Sequence, residues 1–174
     1  DPPPQRPVES PRDQVAKQGL EESVRVIKAN GMRVSGYCRG GMFPAPDATG
    51  RQAAIDDNKR AIDEATALGA ECLVFGVGGL PKGSRNLVEA RQMVADGFAA
   101  ILPHACASKM PLAVEPLHPM YAGDRACVNT LKQALDLAGQ FGSDVGVVID
   151  TYHVWWDPEL EAQIARAGRE KRIF

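Results

Sequence analysis

Four short apolar runs constrain this chain more than anything else in it. They are MRVSGYC (residues 32–38), CLVFGV (72–77), PLAVEPL (111–117) and VGVVID (145–150), and they begin roughly 40, 40 and 33 residues apart. Each is shorter than an ordinary helix and too continuously apolar for a strand with one wet face. That combination belongs to parallel strands covered on both sides. The stretches around them carry apolar residues at helical spacing instead: Leu20, Val24 and Ile27, then Ile55, Ile62, Ala65 and Leu68. The next stripes are Leu87, Val94, Phe98, Ile101 and Ala105, and Leu131, Ala134, Leu135 and Ala138. These predict helices over about 52–68, 84–108 and 130–141, with stops at Asn30-Gly31, Gly69 and Gly142 and a kink at Pro103. Asp157-Pro158 predicts the start of a last helix, Asp as its N-cap and Pro at its first position.

The expected order is therefore α-β-α-β-α-β-α-β-α, an α/β chain of four parallel strands with outer helices. At 174 residues it falls short of the roughly 250 that a closed (β/α)8 barrel takes. A small open sheet or part of a barrel remains. A nucleotide-binding open sheet needs a glycine-rich turn between strand and helix. The nearest stretch, GVGGLPKGS (residues 76–84), fits neither of the two common phosphate-binding patterns. Residues 1–18 read as a proline-rich lead-in, with five of the thirteen prolines in the first dozen residues, and residues 19–174 as the folded domain.

Charge narrows the partners. The 20 basic and 22 acidic residues leave a net charge of −2, which supplies no field to hold a polyanion, so nucleic acid is not expected as a partner. The basic cluster Arg166, Arg169, Lys171 and Arg172 reads as a solvated helix end. No apolar run approaches the roughly 20 residues that cross a bilayer, and DPPPQRPVESPRDQ has no signal-peptide core. The four cysteines, Cys38, Cys72, Cys106 and Cys127, form no CxxC pair. They read as reduced thiols, with Cys38 and Cys72 as small hydrophobes of the strands, in a soluble cytoplasmic protein.

In parallel α/β folds the working groups lie at the carboxyl ends of strands. Here those ends read Arg39-Gly40-Gly41, Gly78-Gly79, Glu115-Pro116-Leu117-His118 and Asp150-Thr151-Tyr152-His153. The last two repeat a pattern, a carboxylate closing an apolar run and a histidine three residues on. A carboxylate at the end of a buried strand costs several kcal/mol unless something pairs with it. A divalent cation would serve, Mg or Mn by hardness and Zn or Co if histidine joins. The alternative is that Glu115 and Asp150 cap the next helix or pair with Arg39, Arg60 or Arg125. His153 is placed as a ligand, a proton carrier or a donor to substrate. His118 is equally a loop histidine, His104 is structural, and Trp155 or Trp156 offers an apolar wall.

The segments GYCRGGMF, ALGAECLVFGVGGLPKGS, PLAVEPLHPMY, CVNTLKQALDL and VGVVIDTYHVWWDPEL together resemble the xylose-isomerase-like TIM-barrel superfamily of sugar phosphate isomerases, epimerases and inosose enzymes. The resemblance runs from about Gly19 onward and is most specific at EPLHP and DTYH. It implies strands three to six of a (β/α)8 barrel. It also implies that Glu115 and Asp150 are metal ligands, that Glu115 moves the proton, and that His153 touches substrate. His118, Arg39 and Trp155 become substrate contacts, and Lys82 a second candidate for an anionic group. The implied reaction is isomerisation or epimerisation of a sugar, inosose or related hydroxy-ketone by proton transfer through an enediolate, with a divalent metal ion. The family's other two ligands, a His and a Glu from strands seven and eight, are not among these residues. Three readings stay open on that account: part of a longer protein, assembly with another chain such as a homo-oligomer, or a non-catalytic half-barrel relative. A metal-dependent phosphodiesterase of the abasic-site endonuclease type is the alternative chemistry.

Overall fold

The computed structural model describes residues 11–174, with every side chain except those of residues 11–14 and residue 39. Strands β1 (Tyr37–Gly41), β2 (Leu73–Gly76), β3 (Leu112–Val114) and β4 (Val145–Val147) lie side by side in chain order, all parallel. Helices α1 (Pro11–Gln18) and α2 (Leu20–Ala29) precede the sheet, and α3 (Ala48–Leu68), α4 (Leu87–Ala107) and α5 (Leu131–Ala138) join successive strands. After β4 come the single turn α6 (Thr151–Val154) and α7 (Leu160–Arg169). The backbone then returns to the sheet, where Ile173 bridges Val147 in parallel.

Strand alternation sorts the two faces. Leu73, Phe75, Leu112, Val114, Val145 and Val147 join the main core with the inner stripes of α3, α4 and α5. Its centre is a stack of rings: Phe75 lies 4.9 Å from Phe98 and 6.0 Å from Phe43, and Phe98 lies 6.0 Å from Phe141. The opposite face carries small residues, with Cys72, Val74, Ala113 and Val148 in a separate cluster. Continuing that alternation past β3 and β4 turns Glu115 and Asp150 to the same side as Ala113 and Val148.

Local signals explain most helix ends. Asp47, Asn86 and Thr130 each accept a bond from the first turn of α3, α4 and α5, and Gly69 closes α3 in the left-handed region at φ 70°. Helix α4 continues through Pro103.

Several expectations are corrected. The first strand starts at Tyr37, five residues later than expected, and Val34 makes only an isolated bridge to Ala70. Residues 1–10 of the lead-in lie outside the described residues, and Pro11–Gln18 is helical, with Val15 packed on the core. Asp157 does not cap the last helix, whose N-cap is Glu159. It is buried, and accepts from Glu159 N at 2.9 Å and Leu131 N at 3.4 Å, tying α7 to α5. Nor is the basic cluster simply solvated. Arg166 pairs with Asp136 and Glu170, and the Arg172 guanidinium donates to the carbonyls of Ala138, Gly142 and Val145.

One buried polar group holds the carboxyl end of β1. Asn58, 1% exposed on α3, accepts from Gly41 N and donates to Gly41 O, both at 2.7 Å. Asn58→Leu would leave both backbone groups without partners in a dry place. It should cost about 2–4 kcal/mol in urea denaturation, and a loss below about 0.5 kcal/mol would mean that water reaches this end of β1.

Candidate active site

Glu115 follows β3 directly, its N–H bonded to Phe75 O. Asp150 lies just beyond β4, and its Oδ1 accepts from Tyr152 N at 2.8 Å, capping α6. That one turn carries His153 back over the strand end, with His153 N donating to Asp150 O at 2.9 Å. Ligand atoms of Glu115, Asp150 and His153 all lie within 4.8 Å of one another, each residue half-buried. Asp150 therefore does what the capping alternative expected and also joins the cluster. Glu115 caps no helix among the described residues.

The Glu115 carboxyl is pushed above its ordinary value of 4.5, first by burial and then by the negative charge of Asp150. No hydrogen bond or cation among the described residues offsets this. Two converging carboxylates with no counter-charge among the described residues fit a divalent cation by donor chemistry, and His153 stands beside them. Cys38 pairs in register with Val74, which places its side chain on the face that Glu115 shares. It is exposed rather than a packed hydrophobe, unlike Cys72 and Cys127. Burial pushes its thiol up first, followed by the charges of Glu115, Cys72 and Asp150.

The two histidines are linked. His118 N donates to His153 Nδ1 at 3.4 Å, and Met120 N donates to His118 Nδ1 at 3.2 Å. An Nδ1 that accepts carries no proton, so each neutral ring keeps its hydrogen on Nε2 and presents an N–H donor. Aromatic rings surround them. His118 lies 6.5 Å from Trp155 and 5.8 Å from Trp156, while His153 lies 5.7 Å from Tyr121 and 5.1 Å from Tyr152. Trp156 Nε1 donates to His153 O at 2.9 Å.

The other candidates fall elsewhere. The Arg39 side chain lies outside the described residues, and its backbone sits at an irregularity of β1. Lys82 lines a separate hollow with Pro46, Ser84, Glu89 and Met93. Arg60 pairs with Asp57, His104 with Asp63, and Arg125 stacks on the Tyr121 ring at 5.2 Å. Gly78-Gly79 packs loop on loop. Gly78 bonds Arg125 and Cys127, and a Cβ on Gly79 would fall 2.5 Å from Asp124 N.

Sequence reasoning missed Asn129, buried and donating to Leu117 O and Ala126 O. It anchors the loop that carries His118. Its neighbours in sequence, Cys127 and Val128, are apolar, and a polar residue closing such a run was the available signal. Tyr121 and Tyr152 were missed as ring partners of His153.

The family model of the xylose isomerase-like TIM barrel matches residues 2–174. Among solved structures, protein SMc04130 from Sinorhizobium meliloti 1021 is 65% identical, with a TM-score of 0.91 over 93% of this chain and 59% of that one. The 3-keto-D-glucoside 4-epimerase YcjR from E. coli is 20% identical, with a TM-score of 0.74 over 90% of this chain and 62% of that one. The IolI protein, solved with a zinc atom, is 17% identical, with a TM-score of 0.73 over 93% and 56%. The chain thus spans about three-fifths of the length of these relatives. The last two likenesses show the fold alone. No curated protein matches.

Proposed function

The chain belongs to the xylose isomerase-like TIM-barrel family, and from that premise we propose that it carries the metal-binding strands of an isomerase or epimerase acting on a sugar, inosose or related hydroxy-ketone. The observation that carries the proposal is the convergence of Glu115, Asp150 and His153 within 4.8 Å at the carboxyl ends of two adjacent parallel strands. Glu115 and Asp150 would hold a divalent ion, one of Mn, Mg, Zn or Co, and strands outside these residues would complete its ligands in a whole barrel. Such an ion supplies positive charge that acidifies the C–H beside a substrate carbonyl.

The chain's own residues do the rest. Glu115 takes the proton, giving an enediolate. His153 offers Nε2–H to a substrate oxygen, its orientation held by His118 N. Asp150 keeps its capping bond to Tyr152 N, which fixes the turn that presents His153. His118 and Trp155 line the outer side, and Arg39, on β1 two strands from Glu115, stays a candidate for an anionic substrate group.

The test is exchange of substrate hydrogen with solvent. A cyclic inosose and an open-chain ketose are incubated with the protein in deuterated buffer, with each of the four metals or with a chelator, and followed by proton NMR. Loss of the signal beside the carbonyl, dependent on metal, is expected for at least one substrate. Metal-bound protein that exchanges neither would sink the reading.

A further inference from the structure

The His153 ring accepts at Nδ1 from His118 N over 3.4 Å, at the far end of hydrogen-bonding range, where a bond restrains rotation of the ring only weakly. The Tyr121 ring supplies a stiffer stop. It meets the imidazole at 79° with centroids 5.7 Å apart, the edge-to-face arrangement that aromatic pairs favour. Tyr152 meets the same imidazole at 80°, but it is the preceding residue on α6 and moves with that turn. Tyr121 comes from the loop between β3 and α5, so its contact fixes the ring against a different part of the fold.

Tyr121 is itself braced. Its carbonyl accepts from Asp124 N, Arg125 N and Ala126 N at 3.3, 3.0 and 3.1 Å. The Arg125 guanidinium lies over its ring at 5.2 Å, and the ring packs against the main core. The loop that carries it is latched at both ends by buried Asn129, which donates to Leu117 O and Ala126 O. Cys127 N adds a bond to Gly78 O at 2.8 Å, which ties the loop to the segment after β2. We infer that Tyr121 is a positioning residue for His153. It holds the imidazole so that Nδ1 stays on His118 N and the ring hydrogen stays on Nε2, and Arg125 in turn holds Tyr121. The consequence for turnover rests on the isomerase reading, whereas the fixed ring does not.

The experiment compares the wild type with Tyr121→Leu, Tyr121→Phe and Arg125→Gln by heteronuclear NMR of the imidazole nitrogens, at a pH where the rings are neutral. Signals are assigned with single His→Gln variants. In the wild type His153 should show the Nε2–H tautomer alone. Tyr121→Leu should give a mixture of tautomers, Tyr121→Phe should restore the wild-type pattern, and Arg125→Gln should fall between. Metal-dependent hydrogen exchange at saturating substrate should fall roughly two- to tenfold in Tyr121→Leu, while the metal concentration for half response stays unchanged. A His153 pattern unchanged by Tyr121→Leu would overturn the inference, as would a Phe variant no better than Leu. Should Tyr121→Leu fail to fold in thermal melts, Arg125→Gln decides, and a wild-type pattern in that variant would overturn the inference. A tautomer mixture in Tyr121→Leu, with no exchange of any ketone even in the wild type, would defeat the isomerase reading and leave the positioning role standing. Wild-type exchange that Tyr121→Leu leaves unchanged would do the reverse.

Discussion

Glu115→Gln should make the metal-free protein more stable and abolish its response to divalent cations. Burial, and then the Asp150 charge, hold the Glu115 carboxyl above 4.5, so the folded state binds this proton more tightly than the unfolded chain does. The stability this confers is fully present below 4.5 and is lost as pH rises through the raised folded value. At neutral pH the metal-free wild type therefore carries a carboxylate in a poor environment, and a neutral amide removes it. A gain of roughly 1 kcal/mol is expected, in the range that relief of site strain commonly gives. It should shrink to nothing as pH falls below the ordinary carboxylate value. The other carboxyl groups are common to both proteins, so the difference isolates Glu115. A divalent ion at a hundred times its Kd should stabilise the wild type by about 2.7 kcal/mol and the variant hardly at all. Hydrogen exchange should fall by roughly 10²–10⁴. Thermal melts with metal and with chelator, across pH, read the stability arms. A variant that is less stable without metal, yet still stabilised by it, would refute the assignment of Glu115.

The largest loss of stability is expected at Gly41→Ala. Gly41 closes β1 beside Gly76 at φ 124°, and a Cβ there would sit 1.9 Å from the Gly76 carbonyl oxygen. Both sides of that contact are backbone, so no rotamer change relieves it. Asn58 also holds Gly41 by its N and O, which prevents the strand end from swinging away. A cost above about 4 kcal/mol follows, a large share of an ordinary domain's 5–15 kcal/mol. Gly69→Ala is the control. Its φ is also positive, but the space around it is open, so only about 1 kcal/mol is expected. Urea denaturation of both variants would separate them, and similar losses would refute the close approach of β1 and β2.

The α/β rhythm was legible because burial on both faces demands continuous apolar runs, and helices demand a stripe. Glu115 and Asp150 stood out for the same reason, as charges ending runs that burial had otherwise kept apolar. The start of β1 was not legible. MRV has the better strand composition, yet the ladder forms over Tyr37–Gly41, where two glycines let the backbone close on β2. Asn58 was equally hidden, because an amide on a helix looks like a surface residue until the backbone groups it satisfies are known. Asp157 showed a local signal, Asp before Pro, and one carboxylate oxygen does hold Glu159 N at the entry to α7, but the other reaches Leu131 N on α5, a partner that no local signal names.

By itself, then, the sequence determined what hydrophobic periodicity and local capping control: four strands, the helices between them, and which strand ends carry charge. Tertiary structure alone decided which side chains meet. The convergence of Glu115, Asp150 and His153 depends on the register of β3 with β4 and on one turn of helix after Asp150. The hydrogen on His153 Nε2 depends on the backbone N–H of His118, 35 residues away. Such contacts join groups far apart along the chain, and no periodicity within a segment encodes them.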